Sequence, residues 1–259
     1  MTDRSGDSLG TILGVWAHPD DETWLTAALM ARAVQAGRRV VCVTATKGEA
    51  GFPANDPRSA AERAAVRAAE MAASMATLGV TEHRWLGFAD GGCAAVPDEE
   101  GVAIVHGLID EIRPDTLITF GPDGGTGHGD HVAVCRWSTA AVEAAGDYAP
   151  RLLYATRTRE WTERVRAGFD LATVMMIEGF EPEMVESEEL AVWLHCDDGE
   201  LDRKIAALRS QASQIEPLVE AYGLEILREA NRDEHFREPR PGDAATLEAF
   251  TAYSRAALT

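Results

Sequence analysis

Cysteine is scarce in this sequence, and the few cysteines are not grouped. Cys42, Cys93, Cys135 and Cys196 are the only four among 259 residues, and no two of them have the CxxC spacing of a zinc knuckle. Scattered thiols also do not provide the dense framework of a disulfide-stabilised secreted domain. We therefore expect reduced cysteines in a cytoplasmic protein.

Long apolar runs and an excess of basic residues are lacking as well. No stretch approaches the ~20 apolar residues of a membrane-spanning helix, and the first ten residues contain no apolar signal core. The 24 Lys and Arg are outnumbered by 43 Asp and Glu, which gives a formal net charge of -19. Such a surface repels polyanions. We expect a small-molecule partner and neither nucleic acid nor membrane, while a homo-oligomer stays open.

Short apolar runs alternate with helical patterns over most of the chain. Three runs are apolar on both faces and rich in β-branched residues, as in strands of a buried parallel sheet: 11–17, 40–46 and 116–120. Helical patterns follow or separate them, at about 23–36, 58–78, 101–113 and 130–145. This alternation predicts an α/β fold, namely a Rossmann-like, doubly wound, mostly parallel sheet with helices on both faces.

The later part of the chain is less regular. It has strand patterns at 152–156, 172–177 and 191–196, and helical patterns at 200–214 and 244–258. No convincing linker or internal repeat divides the chain. We expect residues 1–180 to form the catalytic domain and residues 181–259 a C-terminal extension packed on it, within one domain overall.

A first polar cluster, HPDDE, comes directly after the strand predicted at 11–17. His18 and Asp21 are three residues apart, so they can face a common point once the chain turns into a helix. Asp20 lies between them and points elsewhere, as suits a general base beside a metal-bound water. Helix capping would explain one acidic residue here, but not three in a row.

A second polar cluster, GHGDH, follows the strand predicted at 116–120, so both clusters should lie at the C-terminal edge of the sheet, where ligands bind. His128 and His131 are again three apart, and Asp130 can cap the next helix and orient a histidine from behind. Two histidines and a carboxylate are common ligands of catalytic zinc, but also of non-haem iron(II). The ligand types leave Zn²⁺ and Fe²⁺ open, and the adjacent free carboxylate favours hydrolysis.

The segments AHPDDE (17–22) and HGDH (128–131) resemble the two diagnostic motifs, AHPDDE and HPDH, of the LmbE-like, or PIG-L, family of N-acetylglucosaminyl deacetylases. Weaker matches follow in order, including TKGE after the second strand and LGFADG at 86–91. The resemblance is strong over 11–135 and looser after it. It implies a zinc-dependent hydrolase that removes an acetyl or related acyl group from the amide nitrogen of an amino sugar.

The resemblance also implies a role for each motif residue. The expected zinc ligands are His18, Asp21 and His131, with Asp20 as general base, His128 as the group that stabilises the oxyanion and protonates the leaving amine, and Asp130 holding a histidine from behind. Arg67 and Asp90 match positions that hold sugar hydroxyls or a linked polar group. One departure is Thr126, which stands where some sugar deacetylases of the family have a tyrosine near the oxyanion.

Several alternatives stay open at this stage. Within the family, the chain could be an amidase that cleaves thiol-sugar conjugates, or a tailoring deacetylase for an aminosugar natural product. Outside it, the candidates are a non-haem iron(II) enzyme, a nucleotide-binding module that uses the glycine-rich loop 121–129, and a non-catalytic, metal-stabilised sugar-binding protein. The last of these would not require Asp20. The strand–helix pattern and the His-x-x-Asp spacing argue against an iron(II) oxygenase on a β barrel.

Overall fold

Strands and helices alternate through the computed structural model, which describes residues 2–3 and 6–257. The strands are β1 (Ile12–Trp16), β2 (Val40–Thr46), β3 (Glu82–Phe88), β4 (Thr116–Phe120), β5 (Arg151–Thr158), β6 (Met184–Val185), β7 (Val192–His195) and β8 (Asp233–Arg237). The helices are α1 (Asp21–Gln35), α2 (Ala60–Leu78), α3 (Asp98–Ile112), α4 (Gly129–Ala144), α5 (Arg159–Arg166), α6 (Asp198–Arg209), α7 (Ala212–Tyr222), α8 (Leu224–Ala230) and α9 (Asp243–Ala256).

The strands form one sheet in the order β3-β2-β1-β4-β5-β8-β7, with β6 beside β5. Strands β1 to β5 run parallel to one another, and Ile12 of β1 lies opposite Val40 on one side and Thr116 on the other. The direction of winding reverses between β1 and β4, which is where doubly wound sheets bind ligands. The predicted α/β fold is confirmed.

Helices cover both faces of this sheet. Helices α1, α2 and α6 pack together on one face, and α3, α4 and α9 pack together on the other. Every residue of β1, β2 and β4 is buried, which explains why these strands read as continuous apolar runs. Among the residues that the structure describes, no helix has both the length and the apolar character needed to cross a membrane.

Beyond residue 180, the chain adds strands to the same sheet. Strand β8 runs antiparallel to β5, with Phe236 opposite Ala155, and β7 runs antiparallel to β8. Val192, Leu194 and Phe236 are fully buried in the main core. These residues join the core formed by the first 180, and the division of the chain at residue 180 stays a prediction.

Some local predictions for the second half are wrong. Residues 171–174 form a short 3-10 helix rather than part of a strand, because Leu171 packs into a separate apolar cluster while Met176 is 58% exposed. The helix predicted at 200–214 ends at Arg209, and α7 begins at Ala212. The sequence patterns do not predict the strands β3, β6 and β8 or the helices α5 and α8. The end of the helix predicted at 244–258 lies outside the described residues.

Candidate metal centre and active site

The two polar clusters meet at the C-terminal ends of the adjacent strands β1 and β4. The turn after β1 brings Asp20 to φ 101°, a positive value that is costly for a residue with a side chain. The backbone carbonyl of Asp20 nevertheless accepts the N–H groups of Thr23 and Trp24, at 2.9 and 2.8 Å, and so begins α1. The two hydrogen bonds hold this strained turn, in which the side chains of Asp20 and Asp21 point in different directions.

The side chains of His18, Asp21 and His131 converge on a common point and form what we call the ligand triangle, to which each histidine contributes one nitrogen and Asp21 its carboxylate. His18 Nδ1 lies 3.1 Å from His131 Nε2 and 3.6 Å from Asp21 Oδ2, and His131 Nε2 lies 3.3 Å from Asp21 Oδ1. Zinc bonds of about 2.0–2.1 Å in a tetrahedron require ligand atoms roughly 3.4 Å apart. The donors His18, Asp21 and His131 therefore fit a tetrahedral ion with one position left for water or substrate.

The other nitrogen of each histidine contacts a protein acceptor. His18 Nε2 lies 3.1 Å from Asp90 Oδ1 and 3.2 Å from Asp130 Oδ2, and His131 Nδ1 lies 2.9 Å from the carbonyl oxygen of Gly124. Such contacts fix the tautomer and the ring orientation of metal-binding histidines. The two rings thus present Nδ1 of His18 and Nε2 of His131 to the common point.

The carboxylates around the site favour a cation at this point. Burial opposes protonation of His18, yet its hydrogen bonds with Asp130, Asp21 and Asp90 raise its pKa well above the usual range. Burial likewise opposes ionisation of Asp21, but His131 and His18 lower its pKa to about 2. A divalent cation at the common point would neutralise the same carboxylates that favour a proton on His18. The charge of the site and the distances between its ligand atoms therefore both favour a metal ion.

The side chain of Asp20 neither caps α1 nor joins the three ligand atoms. Its Oδ2 lies 3.1 Å from Nη2 of Arg67, which also donates a hydrogen bond to the carbonyl oxygen of Pro19. Burial raises the pKa of Asp20 to about 7, although the positive charge of Arg67 acts to lower it. A carboxylate beside the ligand triangle with a pKa in this range suits proton transfer near neutral pH.

His128 is the N-cap of α4, and its tautomer follows from this position. The backbone N–H of Asp130 donates to His128 Nδ1 over 3.1 Å, so the proton of the neutral ring is on Nε2. Burial and the neighbouring His131 and His18 lower the pKa of His128 to about 4. A nitrogen of His128 lies within 4.8 Å of nitrogens of those two rings, so a three-histidine ligand set is also within reach.

The structure places three further predicted residues against protein groups. Asp90 Oδ2 accepts the backbone N–H of Ala50 over 2.7 Å, and Arg67 is only 2% exposed. Both side chains line the cavity, but they support His18 and Asp20, and their contact with sugar hydroxyls stays a prediction. The hydroxyl of Thr126 lies 3.3 Å from His131 Nδ1, the ring nitrogen that is not part of the ligand triangle.

The ligand triangle opens into a cavity of about 600 Å³. One end contains the metal site and the glycine-bearing loops after β2 and β3. The other end, formed by β5, β8 and the helices α5, α7 and α8, is lined by residues that the sequence analysis did not identify. Arg157 contacts both ends, since it donates to the carbonyl oxygen of Gly125 over 3.1 Å and lies 5.8 Å from the ring of Trp161. No sequence motif marks these residues.

Comparison with known families gives the same assignment as the motifs. Residues 13–142 match the model of the PIG-L family, described as GlcNAc-PI de-N-acetylase. A protein of Acidothermus cellulolyticus, a 1D-myo-inositol 2-acetamido-2-deoxy-α-D-glucopyranoside deacetylase, is 34% identical, with 79% of this chain and 80% of that protein covered. The chain belongs to the PIG-L family. It is therefore an amide hydrolase of the deacetylase type, in a metal-dependent family.

Solved structures support the fold and also show that the fold alone does not determine the reaction. Teicoplanin deacetylase Orf2, in a zinc-inhibited form, has a TM-score of 0.61 at 18% identity, with 90% of this chain and 100% of that chain covered. The 4-carboxy-2-hydroxymuconate hydratase of Pseudomonas putida has a TM-score of 0.58 at 15% identity, with 90% and 97% covered. Because one fold occurs in a deacetylase and a hydratase, function here rests on the site and on family membership.

Proposed function

We propose that this PIG-L family deacetylase is a zinc enzyme that hydrolyses the amide of an N-acylated amino sugar and so removes an acetyl or related acyl group. The observation that carries the proposal is the convergence of His18 Nδ1, Asp21 and His131 Nε2 at separations of 3.1–3.6 Å, with the carboxylate of Asp20 beside them. The names of two relatives that are 34% and 32% identical suggest a 2-acetamido-2-deoxyglucopyranoside of inositol as the first substrate to test.

Zinc bound by His18, Asp21 and His131 would supply Lewis acidity, which polarises an amide carbonyl and makes water more acidic. The protein supplies the proton transfers. Asp20, oriented by Arg67, accepts the proton of the attacking water. As the C–N bond breaks, the same carboxylic acid returns that proton to the leaving nitrogen, so that water has added H and OH across the bond.

His128 stabilises the negative charge that develops on the carbonyl oxygen. Because the backbone N–H of Asp130 occupies its Nδ1, the ring donates from Nε2 and is neutral near pH 7. This assignment changes part of the expectation from the motifs. We propose His128 as the donor to the oxyanion and Asp20 as the source of the proton on the leaving amine.

The test combines metal analysis with amine release from the inositol glycoside and from N-acetylglucosamine. We expect stoichiometric zinc in the purified protein. The isosteric variant Asp20→Asn should retain the zinc and lose about 10²- to 10⁴-fold in turnover, the range of general acid–base catalysis. Asp110→Asn, an exposed acidic residue on α3, is the matched control and should change neither quantity.

Two results would contradict the proposal. Absence of bound metal, even after reconstitution, would remove the metal centre. Full turnover in Asp20→Asn would remove Asp20 as the base. Retained zinc with lost turnover in Asp20→Asn also excludes a non-catalytic, metal-stabilised sugar-binding protein, which has no need of this carboxylate.

A further inference from the structure

The end of the cavity away from the metal site is an apolar compartment. Six side chains from α5, the loop after it and α7 line this compartment: Trp161, Val165, Phe169, Leu171, Val174 and Leu218. They belong to an apolar cluster that is separate from the main core of the protein. Trp161, Val174 and Leu218 are only partly buried in this cluster, so it presents apolar surface to the cavity.

Acidic side chains in the wall of this compartment are engaged within the protein. Asp233 Oδ1 lies 3.0 Å from Trp193 Nε1 and 2.8 Å from His195 Nδ1. Glu234 Oε1 accepts from Lys204 Nζ over 2.8 Å. Because these carboxylates already have partners and Arg157 donates to the carbonyl oxygen of Gly125, the compartment offers a ligand mainly apolar surface.

The cavity as a whole, with the metal site and the compartment together, is larger than an acetamide requires. A cavity of about 600 Å³ lies well inside the range of about 300–1,000 Å³ of pockets that hold drug-sized ligands. An acetamide places one methyl group beyond the carbonyl carbon, and a sugar has hydroxyl groups on all sides. Neither fills an apolar compartment, so the substrate should contain a further apolar group.

The direction of the amide indicates where that group is attached. Secondary amides are overwhelmingly trans, so the acyl chain and the sugar leave the C–N bond in opposite directions. The loops on the other side of the metal site contain Gly51 and Gly91, two exposed residues without side chains that leave room for a sugar. A sugar on that side directs the acyl chain toward Trp161 and Phe169.

We propose that the apolar compartment binds the acyl chain of an N-acyl amino sugar several carbons longer than acetyl. This proposal rests on the proposed function and specifies its substrate class. In the reaction, the hydroxyl of water adds to the carbonyl carbon, the C–N bond breaks and the nitrogen takes a proton. The products are a medium-chain carboxylate and a free amino sugar.

The first experiment measures kcat/KM for glucosamine carrying acetyl, butanoyl, hexanoyl and octanoyl groups. Each methylene buried in the compartment should raise kcat/KM about fourfold until the compartment is full. Alkyl glycosides of N-acetylglucosamine, with the same alkyl groups on the opposite side of the sugar, provide the comparison. A flat acyl series, or a rise only among the alkyl glycosides, would overturn the proposal.

Variants test whether the compartment causes this preference. Leu218→Phe and Val165→Phe each fill part of it and should lower the ratio of octanoyl to acetyl turnover at least tenfold. Ile226→Val is the matched control, because Ile226 packs against the same apolar cluster without lining the cavity, and it should leave the ratio unchanged. If the unsubstituted protein and the three variants had the same ratio of octanoyl to acetyl turnover, the compartment would not be the binding site of the acyl chain.

Calorimetric titration separates this proposal from the deacetylase proposal. Octanoate should bind to the metal-depleted protein with a negative heat-capacity change, and acetate should not bind measurably. Leu218→Phe should weaken octanoate binding at least tenfold, whereas Ile226→Val should not. Release of amine from any member of the series bears on the deacetylase reaction, while octanoate binding and the chain-length trend bear on the compartment alone. Absence of octanoate binding would overturn the compartment even if deacetylation is observed.

Discussion

At the metal end of the cavity, acidic side chains contact the histidines His18 and His131. At the apolar end, other acidic side chains form ion pairs with basic residues of the protein. Asp21, Asp90 and Asp130 all contact His18 within 3.6 Å. Asp233 and Glu234 instead pair with Arg164 and with Lys204. At the metal end, the carboxylates that surround His18 favour binding of a cation. At the apolar end, the carboxylates are neutralised by basic residues, so the surface that remains for a ligand is mainly apolar.

Histidine shows the same contrast. Burial opposes protonation of both His18 and His235, but hydrogen bonds with Asp130, Asp21 and Asp90 raise the pKa of His18 well above its usual range. His235, at the apolar end, has a pKa lowered to about 4 because burial dominates there. Burial alone therefore does not determine the charge of an imidazole, and the number of carboxylates in contact with it decides the sign of the shift.

The largest expected effect concerns the buried ion pair at the apolar end. Lys204→Met leaves the carboxylate of Glu234 with two backbone donors, the N–H groups of Ala28 and Leu29 at 2.8 and 2.9 Å. Removing one partner of a buried pair costs about 3–5 kcal/mol, because the remaining charge is uncompensated. Denaturant unfolding should show this loss in the free energy of unfolding.

Arg209→Met is the matched control for this variant. Arg209 lies on the same helix, α6, and its pair with Glu216 has the same N–O distance of 2.8 Å as the pair of Lys204 with Glu234, but it is exposed to solvent. Exposed pairs contribute little because water solvates either partner alone. Similar losses in the free energy of unfolding in the two variants would mean that burial does not make the pair of Lys204 with Glu234 more important for stability than an exposed pair.

At the metal end, the next largest effect is expected for His128. His128→Ala removes the Nε2 donor but none of the atoms in the ligand triangle, so turnover should fall about 10²- to 10³-fold, as for the loss of one oxyanion donor. Zinc should remain stoichiometric. Loss of zinc together with activity would instead indicate the three-histidine ligand set of His18, His128 and His131.

The metal end could be predicted from the sequence because its residues fall in two short motifs. His18, Asp20 and Asp21 follow one buried strand, and His128 and His131 follow another. Parallel strands end at the same edge of a sheet, so two local motifs were sufficient to predict one site. The structure adds contacts that no motif contains, such as the carbonyl oxygen of Gly124 behind His131.

The apolar end could not be predicted in this way, because its residues come from distant segments. Trp161, Phe169 and Leu218 look like ordinary core residues in the sequence, and only the packing of α5 and α7 across the edge of the sheet leaves a space between them. Strand β8 was missed for a related reason. Its sequence DEHFR is mostly polar, yet all five residues are buried because ion pairs and hydrogen bonds satisfy the side chains.

A smaller effect is expected when one carboxylate behind His18 is neutralised. Asp130→Asn weakens the contact with His18 Nε2, which lies 3.2 Å away, without touching the ligand triangle. Loss of such a supporting group typically reduces metal affinity 10- to 100-fold. Competition with a chelator should measure this change, with Asp110→Asn as the unaffected control. An unchanged affinity would show that Asp90 alone is sufficient to hold His18.

The smallest predicted effect is a pH dependence of stability at the apolar end. The pKa of His235 is lowered in the folded state to about 4, below its usual value of 6.5. As pH falls below 6.5, the unfolded chain binds a proton that the folded protein does not, so folding loses stability until the pH reaches about 4. These values predict a loss of about 1 kcal/mol between pH 7.0 and 5.5. His235→Phe should remove this part of the acid sensitivity, measured as a difference from the unsubstituted protein with chelator present so that metal loss does not contribute. Equal acid sensitivity in both proteins would mean that His235 is solvated or paired in the folded state, and the contrast with His18 would then not hold.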